Sequence, residues 1–409
     1  MSARAVVTGI GVTAPNGLGT EQYWAATRRG DNAIGEVSRF TPDQYPARLA
    51  GEVRTFDAAA HLPGRLLPQT DRMTRLALVA ADWALADAGL TPDGRTDAGI
   101  GEFDIGVVTA SSSGGFEFGQ NELQNLWSRG SQYVSAYQSF AWFYAVNTGQ
   151  ISIRNGLRGP SGTLVSDQAG GLDALAQARR QIRQGFRAMV SGAVDASICP
   201  WGWVAQLASG RLSTSDAPER AYLPFDAAAG GHVSGEGGAL LIVEDADSAR
   251  SRGARIYGEI AGYGTTFDPP PGSGHEPGLR RAIELALADA GVTPGDVDVV
   301  FADAAAVPEL DRAESHALTA VFGPFGVPVT APKTMTGRLY SGAGALDTVT
   351  ALLAIRDGLV PHTTNVTPAA EHQIDLVVER PRTMPVRTCL VVGRGYGGFN
   401  SALVVRATD

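Results

Sequence analysis

The sequence predicts an α/β fold built of two duplicated halves, and three observations predict it. The first is a repeat. Ala84-Leu85-Ala86-Asp87-Ala88-Gly89-Leu90-Thr91-Pro92 returns half a chain length later as Ala286-Leu287-Ala288-Asp289-Ala290-Gly291-Val292-Thr293-Pro294. Each copy ends a helix with Gly as C-cap and Thr-Pro just beyond. Each is followed by an apolar strand, at 103–108 and 297–301. A short Ala-rich match is weak alone, but the same helix, cap and strand order at half-length marks a duplication. The second is a pair of continuous apolar runs, 239–243 and 388–392, as expected of strands buried on both faces. The third is the segment 164–175, a buried strand, a tight turn and a helix, with Ala169, Gly170 and Gly171 small enough for a sharp turn and close packing. The halves are placed at 1–250 and 251–409, with the polar stretch 247–255 as linker and 269–274 as a surface loop.

Composition bounds the function. The 409 residues are 44% hydrophobic and 18% charged, an ordinary globular balance, and the 51 glycines suit many tight connections. A net charge of -9 argues against nonspecific nucleic-acid binding. No apolar run is long enough to span a bilayer, so no membrane is expected as a partner. Met1-Ser2-Ala3-Arg4 runs straight into the strand-like 5–10 with no signal-like segment, which places the protein in the cytoplasm. Cys199 and Cys389 have no ligand-like spacing, and His232, His275, His316, His362 and His372 none either. They are expected to be structural thiols and surface or satisfied histidines, with no metal and no cofactor.

Gln168 stands at the turn of the elbow, where the positive end of the following helix dipole points. A Cys there would have a lowered pKa and backbone N–H groups nearby for an oxyanion. The Gln168 amide hydrogen-bonds but is no nucleophile at neutral pH. The scaffold of a covalent catalyst is expected without its nucleophile.

The elbow, the duplication, Leu223-Pro224-Phe225-Asp226, Gly235-Glu236-Gly237-Gly238-Ala239 and Gly395-Tyr396-Gly397-Gly398-Phe399-Asn400 together resemble a β-ketoacyl synthase of the thiolase fold, from Val6 to Val404. The resemblance implies a thiolase-like fold in αβαβα layers. An active synthase has a Cys and two His residues; here their positions hold Gln168, Asp303 and Arg338, while Lys333 still matches the family lysine. The first His position is aligned through His-Gly-Thr-Gly-Thr of the family, which falls on Asp303-Ala304-Ala305-Ala306-Val307, with Asp311, Arg312 and Glu314 matching downstream. Loss of all three together, with 168–175 and the aromatic segment 139–150, resembles the chain length factor, the ketosynthase β subunit of bacterial type II aromatic polyketide synthases.

That resemblance implies a heterodimer with a ketosynthase α subunit, served by an acyl carrier protein whose phosphopantetheine bears the polyketide. It implies a catalytically silent subunit, with Gln168, Asp303 and Arg338 vestigial and Asp303 free to pair with Arg338. A malonyl-carrier decarboxylase using Gln168, and a homodimer that sequesters acyl chains, are the alternatives. Phe116, Gly119 and Leu123 fall on one helical face and, with Phe140, are expected to line the tunnel that sets chain length. The missing side chain at Gly119 is expected to leave room for a product longer than an octaketide, and a bulky residue there to shorten it. Phe140, Trp142, Phe143 and Tyr144 are core by default, or interface by resemblance. Arg179, Arg180, Arg183 and Arg187 are expected on a solvated basic helix face, which only an acidic carrier protein would make functional.

Overall fold

The computed structural model describes residues 3–91, 95, 97–270 and 272–408. Met1, Ser2, Pro92 of the first repeat and Pro271 of the surface loop lie outside the described residues.

Each half weaves the same sheet. In the first, β1 (Ala5–Ala14), β2 (Ile105–Ala110), β3 (Ser161–Leu164), β4 (Ala188–Asp195) and β5 (Gly237–Asp245) lie in the order β3-β2-β4-β5-β1. β2 runs parallel to β3 and β4, whereas β5 is antiparallel to β4 and β1. The second half has β6 (Gly258–Phe267), β7 (Val299–Phe301), β8 (Pro328–Thr330), β9 (Asp375–Leu376), β10 (Thr388–Arg394) and β11 (Phe399–Arg406). Its order, β8-β7-β10-β11-β6, repeats the first with β9 added outside β8. A short antiparallel pairing of Val6 with Glu259 and Val7 with Gly258 joins the halves.

Seven helices matter here: α1 (Arg72–Asp87), α2 (Phe116–Arg129), α3 (Gly170–Arg183), α4 (Pro200–Leu207), α5 (Leu279–Ala290), α6 (Pro308–Phe322) and α7 (Ser341–Asp357). Successive strand residues point to opposite faces, so each half-sheet serves two cores. Leu241 and Val243 of β5 face one core, Leu240 and Ile242 another. Cys389 and Val391 of β10 face the first of these cores, Leu390 and Val392 a third. The shared core holds α3 and α7, which touch each other and both half-sheets. α1 covers the outer face of the first half, α5 that of the second. The result is five αβαβα layers.

The repeat is legible in the packing. A Cβ on Gly11 or Gly9 would overlap the carbonyl oxygens of Ala80 and Ala84 in α1; on Gly264 or Gly262 it would overlap those of Ala282 and Ala286 in α5. Ala84 and Ala286 open the two copies of the repeat. The repeated aspartates match as well. The register of β1 slips between Val7 and Gly9, and Asp87 accepts a hydrogen bond from Ile10 N (2.9 Å). The register of β6 slips between Ile260 and Gly262, and Asp289 accepts from Tyr263 N (2.9 Å). In each half, one carboxylate takes up an N–H beside a β-bulge.

Four expectations change. The linker stretch contains a short helix, Ala246–Ser251, whose first N–H groups are capped by the Asp245 carboxylate. β3 is not a buried strand: it is an edge strand, half exposed, paired on one side only among the described residues. The aromatic run divides, with Phe140 against the outer core of the first half and Trp142 and Phe143 exposed. The basic helix face dissolves. Arg179 is buried, bonded to Asp289 and the Ala261 carbonyl, and Arg187 lies beyond α3, where it donates to the Gly99 carbonyl and Ser248. No helix among the described residues is long and apolar enough to cross a membrane.

Gly11→Val puts a branched side chain against the α1 backbone, which cannot retreat without opening the core beneath it. A loss of about 3 kcal/mol is expected in chemical denaturation; an unchanged midpoint would show that α1 does not lie on β1 this way.

Candidate functional site

The elbow is assembled from small residues. A Cβ on Gly171 would overlap the Ser341 carbonyl, and one on Gly170 would sit 3.0 Å from Ala110, so α3 seats against α7 and β2 as the sequence implied. The strain falls one residue before Gln168. Asp167 adopts φ 50°, and its carboxylate accepts from Tyr396 N (2.8 Å).

Gln168 is buried. With its amide oriented to satisfy both ends, Nε2 donates to the Tyr340 carbonyl (3.0 Å) and Oε1 accepts from Arg338 Nε (2.8 Å). Arg338 Nη2 reaches both carboxylate oxygens of Asp303 at 2.8 Å, and Nη1 donates to the Asp303 carbonyl at 2.9 Å. Gln168, Arg338 and Asp303 therefore form one continuous chain of hydrogen bonds. Lys333 stands behind it, paired with Asp347 (2.7 Å) and donating to the carbonyls of Ala302 and Asp303. Burial alone would push Asp303 up; the charges of Arg338 and then Lys333 outweigh it and hold the carboxylate below its ordinary value. Burial opposes the Arg338 charge too, and Asp303 restores it.

The loop carrying Asp303 keeps the shape of one made for glycine. Ala304 and Ala306 have φ 52° and 53°, the left-handed region, and they occupy the two glycine positions of the family motif. Glu314 holds the loop by accepting from Asp303 N (2.7 Å) and Ala304 N (2.9 Å), and Asp311 accepts from Phe225 N (2.8 Å). Burial pushes both carboxyls up to about 7.

A cavity of about 410 Å³ opens over this network, lined by Gln168, Arg338, Tyr340, Ser112, Phe116 and His232 among others. Of the proposed tunnel residues, only Phe116 reaches it. Leu123 lines a separate hollow with Trp127 and Trp201. Gly119 lies beneath two tryptophans: a Cβ there would sit 3.2 Å from the Trp201 ring and 3.5 Å from Trp142 Cβ. Phe140 packs edge-on against Tyr137 and away from both hollows. His232 is the residue the sequence missed. It is buried beside the network with Nδ1 unpartnered, and no spacing rule singles it out. Burial, then the Arg338 charge, push it down to about 3. His275 and His316 are exposed, whereas His372 is buried with Nδ1 3.0 Å from Ser315 Oγ. No group of residues among those described could hold a metal ion. Both cysteines are buried and unpaired.

Chemically, the site offers no thiolate and no imidazole that takes a proton near neutral pH. The amide is engaged at both ends, and the cation and the carboxylate neutralise each other.

Two expectations follow. Glycine relieves the left-handed backbone that alanine strains, so Ala304→Gly and Ala306→Gly together raise the unfolding free energy by about 1 kcal/mol. A lower denaturation midpoint would contradict this. His232 stays neutral when folded, so below about pH 6.5 the unfolded state binds a proton that the native state refuses until about pH 3. That contribution is full above pH 6.5 and lost as pH falls, by up to about 1.4 kcal/mol per unit. Unfolding measured from pH 7 to 4.5 should find a flatter profile in His232→Gln; parallel profiles would rule this out.

Residues 2–249 and 257–367 match the family models described as "Beta-ketoacyl synthase, N-terminal domain" and "Beta-ketoacyl synthase, C-terminal domain". The chain is 62% identical to the tetracenomycin polyketide synthase ketoacyl synthase beta subunit of Streptomyces glaucescens, over 99% of each chain. It is 59% identical to the actinorhodin polyketide putative beta-ketoacyl synthase 2 of Streptomyces coelicolor, over 98% of each. Among solved structures, the ishigamide ketosynthase/chain length factor superposes with a TM-score of 0.89 at 28% identity, covering 100% of both chains. The chain belongs to the β-ketoacyl synthase family and, within it, to the ketosynthase β subunits, or chain length factors, of type II polyketide synthases.

Proposed function

We propose that this protein is the silent half of a polyketide ketosynthase heterodimer, and that it helps set the length of the chain its partner builds. The observation that carries this is the closed network Gln168–Arg338–Asp303. A condensing site must accept a thioester at a free nucleophile and bind a malonyl carboxylate through neutral imidazoles. Here an amide stands in the nucleophile's place, and the imidazole positions hold a hydrogen-bonded ion pair. The partner ketosynthase supplies Cys and His; this chain supplies structure and part of the tunnel.

Two features support the pairing. The free side of β3 presents unpaired backbone groups, and Trp142, Phe143, Ile153 and Val165 are exposed. A permanent partner would cover such a patch. Among the structural relatives, one is a ketosynthase/chain length factor and another a type II carrier protein in complex with its ketosynthase bound to the hexaketide, matching at a TM-score of 0.88 and 27% identity. We accordingly name a ketosynthase α subunit and an acyl carrier protein as partners and place the complex in the cytoplasm. The decarboxylase alternative fares worse. Gln168 could polarise a thioester carbonyl only by giving up the Tyr340 carbonyl, and Arg338 holds its other end.

The test is product formation by the reconstituted complex. Gln168→Ala should leave most of the product, and Gln168→Cys should not add a second acylated site, because Arg338 and Asp303 remain. A folded Gln168→Ala complex that loses nearly all extension would overturn the silent role and favour the decarboxylase.

A further inference from the structure

The cavity over Gln168 stays open although the groups at its base are engaged with one another. Its volume, about 410 Å³, is that of a small-molecule site. Its lining is selective in one respect. Among the described residues, the buried side-chain groups it leaves unmatched are hydrogen-bond acceptors. Gln206 gives its amide N–H to Ser197 Oγ (2.6 Å), and its Oε1 has no partner. Gln206 is half-buried, so a turn about its side chain brings Oε1 to a ligand. His232 gives its ring N–H to the Ala305 backbone, so Nδ1 is an acceptor, also without a partner. A buried acceptor left unpaired is costly, and a ligand that donates to it recovers that cost. The strong donors at the base are already taken, Gln168 Nε2 by the Tyr340 carbonyl and Arg338 by Asp303. The carbonyls of a thioester or a poly-β-ketone are acceptors, and neither of these donors is free to receive them.

The mouth differs from the base. Arg211 lies there, its guanidinium 4.8 Å from the centre of the Tyr396 ring. Among the described residues its side chain makes no salt bridge and no hydrogen bond, so its N–H edge is open to an anion. Tyr396 and Phe399 give the cavity aromatic walls. We infer that the cavity is a binding site for a flat aromatic acid bearing phenolic hydroxyls: the O–H groups donate to Gln206 and His232, the rings lie against Tyr396 and Phe399, and the carboxylate pairs with Arg211. This rests on the polyketide reading above. A poly-β-ketone that cyclises with loss of water and then enolises turns carbonyl acceptors into phenolic O–H donors. The site therefore takes the matured product in preference to the chain being built. The phosphopantetheine of a carrier protein is the competing occupant. It has amide N–H groups and an anionic end, but no ring for Tyr396 and Phe399.

The experiment is calorimetry and equilibrium dialysis on the co-expressed heterodimer, with a dihydroxyanthraquinone carboxylic acid as probe. The partner ketosynthase has a reacting site of its own, so variants of this chain decide. Arg211→Met is expected to weaken the probe about tenfold, and Gln206→Leu by a comparable factor. A probe without the carboxylate should lose the same factor on the native complex and be indifferent to Arg211→Met. A probe without the hydroxyls should be indifferent to Gln206→Leu. No binding to the native complex overturns the inference, and so does binding that neither variant weakens. Should one variant fail to assemble, the other decides with its matching probe. Binding of phosphopantetheine in place of the anthraquinone, lost in Arg211→Met, gives the cavity to the carrier arm and also overturns the inference. Product analysis of the same native complex keeps the two arguments apart. Normal polyketide formation without probe binding refutes this site alone, whereas a complex that makes no polyketide refutes the reading on which the site rests.

Discussion

The Arg338 guanidinium is the constraint around which the vestigial site is arranged. It is buried, and a buried cation persists only when its charge is matched and its N–H groups are all taken. Nε goes to Gln168 on the elbow of the first half. Nη1 and Nη2 go to Asp303, after β7 of the second half, and Nη2 also to the Arg394 carbonyl at the end of β10 (3.1 Å). One side chain thus binds three segments from both halves. Asp303 is equally dependent: its Oδ1 also accepts from Arg394 N (2.8 Å), and its backbone is held by Glu314. Removing either ion would leave the other buried and unpaired, at a cost of about 3–5 kcal/mol. Positions 303 and 338 are therefore bound to each other in any substitution. An Arg at 338 without an acid at 303, or the acid without the Arg, would leave a charge in the core.

Around this clasp the backbone is held in uncommon conformations. Asp167, Phe225, Ala304, Ala306 and Tyr340 are all non-glycine residues with positive φ, and they come from four separate segments on both halves. Each costs on the order of 1 kcal/mol or more. The surroundings over-determine them: Tyr396 N bonds to Asp167, Asp311 accepts from Phe225 N, Glu314 from Ala304 N, and Tyr340 OH donates to Ser234 Oγ (3.1 Å). Strain of this kind positions reacting groups in an enzyme. Here it survives because the hydrogen bonds that enforce it also support the five-layer core.

How much of this was legible in the sequence depends on how local the signal is. The repeat was legible because it encodes one physical arrangement twice: a helix whose carbonyls rest on strand glycines and whose Asp takes a stray N–H beside a bulge. The elbow was legible because Gly170 and Gly171 answer a steric demand within a few residues. α7 has no apolar stripe to find, since both half-sheets cover it and residues 341–354 are buried all round. Arg179 was read as solvated because its partner, Asp289, is more than a hundred residues away in sequence. β3 was expected to be buried because it leads into the elbow, yet it lies at the sheet edge and is half exposed. His232 carries no motif. Its meaning comes from what the fold places opposite it, a guanidinium.

The same long-range logic explains why a silent subunit has a use. Two active halves would present two nucleophiles and two cavities of similar shape, and any change that lengthened one cavity would also have to respect the chemistry at its base. In this chain the base of the cavity is held by the matched charges of Arg338 and Asp303. The core beneath Gln168 is fixed by Arg338, while α2 and α4 supply none of the groups in that network. Specificity for length is a difference of packing energies, which side chains outside the ion pair can change without leaving a buried charge unpaired. The rigidity of the clasp beneath Gln168 is thus independent of how the side chains along α2 are packed.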